Sequence, residues 1–136
     1  MEGNPSVRYE PIQKNHLAGI IDLCKAEDWP SYTENSEKTW RVLTAPGVCT
    51  VVALNGEEVV GFVQMQGDGI IQTHISVILV APSYQRRGIG TWLVKEAFRR
   101  CGGKRVDAIT DSADDFYRSF KHRCWSGYRI YPNLEA

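Results

Sequence analysis

No run of this 136-residue chain approaches the ~20 apolar residues of a membrane-spanning helix, which excludes a helical span. The first residues, Met1-Glu2-Gly3-Asn4-Pro5, have neither a basic stretch nor an apolar core, so no signal peptide is expected. Cys24, Cys49, Cys101 and Cys124 are scattered and form no C-x-x-C pair; the expectation is reduced thiols and a cytoplasmic protein. His16, His74 and His122 have no ligand spacing with those cysteines, so no metal is expected. Repeats, low-complexity tracts and linkers are also missing, which points to one domain over residues 1–136. The formal net charge is zero, and no nucleic-acid motif is visible.

The charge that is present is uneven. Residues 1–83 hold 5 Lys/Arg and 10 Asp/Glu, whereas residues 84–136 hold 11 and 6. A basic second part suits a polyanionic ligand. It is also the only feature that favours nucleic acid, and the expectation is that none is bound. The hydrophobic content of 43% with 24% charged residues is that of an ordinary globular protein.

The centre of the chain is the stretch 77–93. Val77 to Val80 is a β-branched apolar run that reads as a buried strand, ended by Pro82. Gly88 and Gly90 then open a segment whose apolar residues Ile89, Trp92, Leu93, Ala97 and Phe98 make one helical face. A glycine turn into a helix start leaves several backbone N–H groups without partners, and the helix dipole adds to their pull on phosphate. Arg86 and Arg87 add charge at the same mouth. The dinucleotide fingerprint fails because its third glycine position is Leu93, and Walker A fails because no Gly-Lys-Ser/Thr follows.

The remaining elements follow from period and punctuation. Residues 6–12 read as a strand. Leu17, Ile20, Ile21 and Cys24 make a helical face that ends near Trp29-Pro30. A second helix is expected from about Ser31 or Thr33, as cap, to Leu43, anchored by Trp40 and Leu43 and broken by Pro46-Gly47. Residues 48–54, the hairpin signal Asn55-Gly56, residues 59–66, the turn 67–69 and residues 70–80 predict a three-stranded meander. A helix over 88–101 is closed by Gly102-Gly103. A strand over 104–110, a helix over about 113–120 capped by Ser112 or Asp111, and a last strand over 125–131 complete the chain. The order β-α-α-β-β-β-α-β-α-β implies an α/β mixed sheet with helices on both faces.

Gln85-Arg86-Arg87-Gly88-Ile89-Gly90 resembles the acetyl-CoA signature Q/R-x-x-G-x-G/A of the GNAT superfamily of N-acetyltransferases, and the element order is also that of the GNAT fold. The resemblance implies two parallel strands, before and after the signature helix, that splay to hold coenzyme A. It implies backbone N–H groups at Ile78, Leu79 and Val80 for pantetheine and the thioester carbonyl, their side chains being core. It places the pyrophosphate on the N–H groups from Gln85 through Arg86, Arg87, Gly88, Ile89 and Gly90 to Thr91. A catalytic carboxylate often stands eleven residues before the signature in the family, and that position is His74 here. A neutral imidazole is able to take a proton at neutral pH, with a chain of water as its rival for the base role. The run Ala113 to Tyr117 resembles the family's A-x-x-F-Y, which makes Tyr117 the expected general acid toward the CoA sulfur and Phe116 a packing residue. Two departures accompany it: Thr110 replaces an asparagine, and the glycine-aromatic pair is delayed to Gly127-Tyr128. Arg118, Lys121 and Arg123 read as a solvated face more than as phosphate ligands.

Strand period puts Gln72, His74 and Ser76 on one face with Ile78 and Val80, and a tight turn at 67–69 puts Gln64 near Gln72 and His74. The acceptor is expected between the first two helices and the meander, near Glu27, Asp28, Trp29, Tyr32, Glu34 and Glu37, a setting for a small cationic amine. The implied activity is N-acetyl transfer from acetyl-CoA to a primary amine. A protein or peptide amine and a non-catalytic acyl-CoA-binding module are the alternatives, and a homodimer that completes the short last part of the sheet is a further expectation.

Overall fold

Residues 6–133 of the computed structural model are described here, so the reading of Met1–Pro5 lies outside the described residues. β1 (Val7–Pro11), β2 (Val48–Asn55), β3 (Glu58–Gly67), β4 (Gln72–Val80) and β5 (Arg105–Ala108) form one sheet in the order β1-β2-β3-β4-β5. β1 to β4 are antiparallel neighbours, and β5 joins β4 in parallel. The parallel pair needs a crossover, which α3 (Ile89–Cys101) supplies. Together with α1 (Leu17–Ala26), α2 (Ser36–Leu43) and α4 (Asp114–Arg118), this is the expected mixed α/β architecture.

Each face of the sheet has its own core. On one, Ile89, Leu93, Val94, Ala97 and Cys101 of α3 pack on Val51, Ala53, Val60, Val63, Met65 and Ile75. On the other, Leu17, Ile20 and Cys24 of α1 and Leu43 of α2 pack on Val52, Leu54, Phe62, Val77 and Leu79. Gly102 closes α3 with a left-handed φ of 87° and returns its N–H to the Phe98 carbonyl at 3.0 Å.

The expected elements shift where a short side chain claims a backbone group. α2 does not begin at Ser31 or Thr33. Pro30–Tyr32 is a single 3₁₀ turn, and Asn35 caps α2 by accepting the Lys38 N–H at 3.0 Å. β4 begins at Gln72 rather than Ile70, because Asp68 Oδ1 takes the N–H groups of Ile70 and Ile71 at 2.7 Å each. Those bonds hold the Asp68 carboxyl below its usual pKa.

The C-terminal part differs most. β5 has four residues instead of the seven expected over 104–110, and α4 covers 114–118 rather than 113–120. Neither Ser112 nor Asp111 caps α4; Thr110 Oγ1 accepts the N–H groups of Ser112 at 3.3 Å and Ala113 at 2.8 Å instead. The strand expected over 125–131 does not form. Its aromatic and β-branched residues suit a strand, yet it has no partner on the outer edge of β5, and a strand without a ladder has nothing to hold it.

Candidate active site

β4 is paired unequally. Its first half meets both neighbours, with β5 in register from Gln72↔Arg105 to Ile75↔Ala108. Beyond Ala108 the chain leaves the sheet, while β4 runs on to Val80 and still pairs with β3 from Gln64↔Val77 to Gly61↔Val80. Along Ser76–Val80, no strand among the described residues pairs with the second edge of β4. Outward backbone groups there fall on alternate residues, Ile78 and Val80, and face the cleft left where β5 departs, while Leu79 turns its own groups toward β3 as Ala81 does. An unpaired edge needs another hydrogen-bonding partner, water or a ligand.

The loop over residues 85–88 stands at the end of that cleft. Ala81 N–H donates to the Val60 carbonyl at 2.8 Å, and Gln85 Nε2 donates to the Val80 carbonyl at 3.0 Å, so the loop is tied back to the sheet. Arg86 is left-handed with φ 63° and Gly88 with φ 82°; Gly88 is the cap residue of α3. The N–H groups of Ile89, Gly90 and Thr91 have no intrahelical acceptor by helix geometry. Trp92 is the first to bond back, to Gly88 at 3.1 Å. The Arg87 guanidinium lies 4.9 Å from the Tyr84 ring centre, and the Tyr84 hydroxyl accepts from Asn55 Nδ2 at 2.7 Å. Free N–H groups at a helix start with two arginines beside them form a site whose donors and charge fit a pyrophosphate. The sequence did not point to Tyr84 or Asn55; a lone tyrosine and a hairpin asparagine carry no local signal of this contact.

A one-residue bulge at Ser76 corrects the expected strand face. Gln64 is opposite Val77 and Met65 opposite Ile75, so Ser76 is the extra residue in β4. Ile75 therefore faces the α3 core together with Ile78 and Val80, while Val77 and Leu79 face α1 and α2. His74 does not share a face with Ile78 and Val80, as strand period alone implied. It lies on the α1/α2 side. Gln64 is not beside Gln72 either. Gln66 is the β3 residue opposite His74, and Gln64 is buried where its Oε1 accepts the Tyr32 hydroxyl at 2.5 Å. Burial raises the Tyr32 pKa, with the Cys24 sulfur adding to it. Trp29 stands edge-on to Tyr32, with ring centres 6.2 Å apart. His74 itself is half-buried.

α4 lies over the start of α3. A Cβ built on Gly90 would come 2.9 Å from Phe116 Cε1, so that glycine makes room for the Phe116 ring. Phe116 packs with Tyr117 at 5.0 Å and Phe120 at 5.3 Å, in agreement with its packing role. Tyr117 is half-buried against the α3-side core, and burial raises its pKa, which keeps the phenol protonated. Arg123 lies over the exposed Trp125 ring at 5.6 Å. The four cysteines are free thiols, and among the described residues no cluster of three His, Cys, Asp or Glu is placed to hold a metal. Among the described residues no helix is long and apolar enough to cross a membrane.

Comparison with known proteins agrees with this fold. The AAC(6')-Iy structure in complex with a CoA-S-monomethyl-acetylneamine bisubstrate analogue superposes with a TM-score of 0.76 at 16% identity, covering 94% of this chain and 98% of that one. An aminoglycoside acetyltransferase from an uncultured soil metagenomic sample gives 0.74 at 21% identity, with 94% and 99% covered. A transcriptional regulator from Bacillus halodurans C-125 gives 0.75 at 19% identity, with 92% and 99% covered. No curated protein sequence matches. The sequence profile of the acetyltransferase (GNAT) family matches residues 15–121, from the foot of α1 past α4, and the chain therefore belongs to that family of acetyl-CoA-dependent acyltransferases.

Proposed function

We propose that this protein transfers an acetyl group from acetyl-CoA to the primary amine of a small cationic acceptor. The opening of β4 from β5 beside the free N–H groups of α3 is the observation that carries this reading. The aminoglycoside acetyltransferases among its structural neighbours support a small polar amine as acceptor.

In the run Ile78, Leu79 and Val80, the outward N–H groups of Ile78 and Val80 bind the pantetheine arm as a further strand would and polarise the thioester carbonyl. The loop from Gln85 through Arg86, Arg87, Gly88, Ile89 and Gly90 to Thr91 holds the pyrophosphate. When bound, acetyl-CoA supplies the activated acyl group. His74, on the acceptor side, takes the amine proton directly or through one water, since an ammonium has no lone pair for attack. Tyr117, on the cofactor side, gives its proton to the departing sulfur as the N–C bond forms and the C–S bond breaks. The raised Tyr117 pKa keeps that proton available through the neutral range.

The free thiols suit a reducing cytoplasm. We further propose that a second copy of the chain covers the outer edge of β5. The exposed Trp125, Tyr128, Ile130 and Tyr131 keep a strand's composition without a strand's partner, and the edge of β5 has the unmet hydrogen bonds such a strand supplies. Sedimentation velocity should give a dimer for the native chain and a monomer for the Trp125→Arg/Tyr128→Arg variant; a monomeric native chain ends this part of the reading.

The test of the activity is thermal stability with and without acetyl-CoA, followed by thiol release with a panel of amines. A ligand at 100 times its Kd adds about 2.7 kcal/mol to the folded state. A raised melting temperature with acetyl-CoA but not with NAD or ATP, together with amine-dependent thiol release, is expected. A shift without turnover of any amine would leave a binding module, and no shift at saturating acetyl-CoA would remove the reading altogether.

A further inference from the structure

One polar row on the α1/α2 face of the sheet is only partly used by that mechanism. Gln66, His74 and Asp107 stand in register across β3, β4 and β5. Registered residues on neighbouring strands lie about 4.8 Å apart and point to the same face. Val106 packs into the α3-side core, so Asp107, the next residue, faces the α1/α2 side with His74. The row is one step before β4 and β5 part, which places Asp107 at the edge of the cleft.

Asp107 is exposed and has no ion-pair partner among the described residues. Arg105, the cation on the same face of the same strand, gives its Nη2 to Gln72 Oε1 at 3.0 Å instead. On the cleft side of the row, Gln64 of the same sheet face holds the Tyr32 hydroxyl, and Trp29 stands edge-on to that ring. Aromatic faces and one free carboxylate are partners for a cation.

The chemistry separates two amines. The nitrogen that attacks must first become neutral, and a neutral amine gains little from a carboxylate. Asp107 is useful to a cationic group that keeps its charge during the reaction. We infer that Asp107 anchors a second ammonium group of the acceptor while the reacting amine lies at His74, which makes the acceptor a di- or polyamine with closely spaced nitrogens. This rests on the N-acetyltransferase reading above and adds the acceptor class and the residue that selects it.

The experiment compares 1,3-diaminopropane with propylamine by thiol release, for the native protein and for Asp107→Asn and Asp107→Glu. Melting temperature and the acetyl-CoA shift are recorded for each. The native protein should prefer the diamine in kcat/KM by about tenfold, equal to about 1.4 kcal/mol. Asp107→Asn should remove most of that preference through KM, and Asp107→Glu should keep part of it. The preference should also fall as salt is added, because the pair is exposed. Asp107→Ser serves in place of Asp107→Asn if the latter melts early. Equal use of both amines by the native protein, or an unchanged ratio in Asp107→Asn, overturns the anchor. So does a fall in kcat for both amines alike, which would make Asp107 a positioning residue for His74. Calorimetry of the two amines against the CoA-loaded protein gives the same comparison without turnover. If neither amine binds, the anchor fails. A retained acetyl-CoA shift then leaves the CoA reading standing, and its loss means that the parent reading failed first.

Discussion

The two halves of β4 have the same sequence pattern and opposite roles. Thr73, Ile75, Val77 and Leu79 alternate with less buried residues without a break. The first half, Gln72–Ile75, is held between two strands, and the second, Val77–Val80, by β3 alone. Between them the bulge at Ser76 turns the strand over, so Ile75 feeds the α3 core and Val77 the α1/α2 core. One half is scaffold. The other is the same kind of strand with an edge left free, and it is that free edge to which the proposed ligand binding is assigned. Side-chain burial is equal in the two halves; what separates them is which backbone groups are already bonded.

The largest effect should come from removing the device that divides them. Deleting Ser76 restores strict alternation and would turn Thr73 and Ile75 away from the α3 core, or force the turn at 67–69 to slip. A loss above about 4 kcal/mol is expected, seen as absent or early cooperative melting by circular dichroism. A deletion variant that melts like the native chain would show that the bulge is incidental.

Next comes the chemistry assigned to the open half. Tyr117→Phe should lower kcat on the order of 10²-fold while the acetyl-CoA thermal shift persists, since only the proton donor is removed. Near-native turnover would return Tyr117 to a packing role beside Phe116. A smaller effect is expected at the loop where the open half ends. Gly88→Val puts a β-branched residue at φ 82° and should cost about 1–3 kcal/mol, with a reduced acetyl-CoA shift as well. A reduced melting temperature with an intact shift would separate the fold of the loop from its binding.

The smallest effect is on the alkaline side. Tyr9, Tyr32 and Tyr117 each have a pKa raised by burial from the ordinary 10.0. The folded state therefore holds these protons more tightly than the unfolded chain. Their contribution is complete below pH 10 and is lost as pH rises through the raised values. The Cys24 and Cys101 thiols, pushed up by burial from 9.0 to about 11, start the decline in melting temperature above pH 9; above pH 10 the decline should be less steep in Tyr117→Phe, which removes one of the three tyrosines. An equal slope in the variant would mean that the Tyr117 phenol is not held in its protonated form by the fold.

Much of this was legible in the residues. Val77–Val80, the glycines at 88 and 90 and the apolar face of α3 were readable because each is a local pattern backed by long-range packing. The hairpin at Asn55-Gly56 formed where the turn chemistry put it. The bulge at Ser76 was not readable, because burial alternates through it and serine gives no sign of an extra residue. The cap at Asn35 and the turn held by Asp68 were missed among several residues equally able to cap. Asp107 was unremarkable in sequence; it matters only through register with His74, thirty-three positions away. The strand expected at 125–131 had the right composition, but composition does not supply a partner.

What the sequence by itself determined was the order of elements as far as α4, the glycine turn that opens α3, and the family. These depend on hydrophobic period, glycine conformation and short motifs, all local in the chain. Only the tertiary structure decided which face His74 occupies, that Tyr32 holds Gln64, and where β4 and β5 part. Each of those depends on how one strand is set against another, and a shift of a single residue in that register inverts every side chain beyond it.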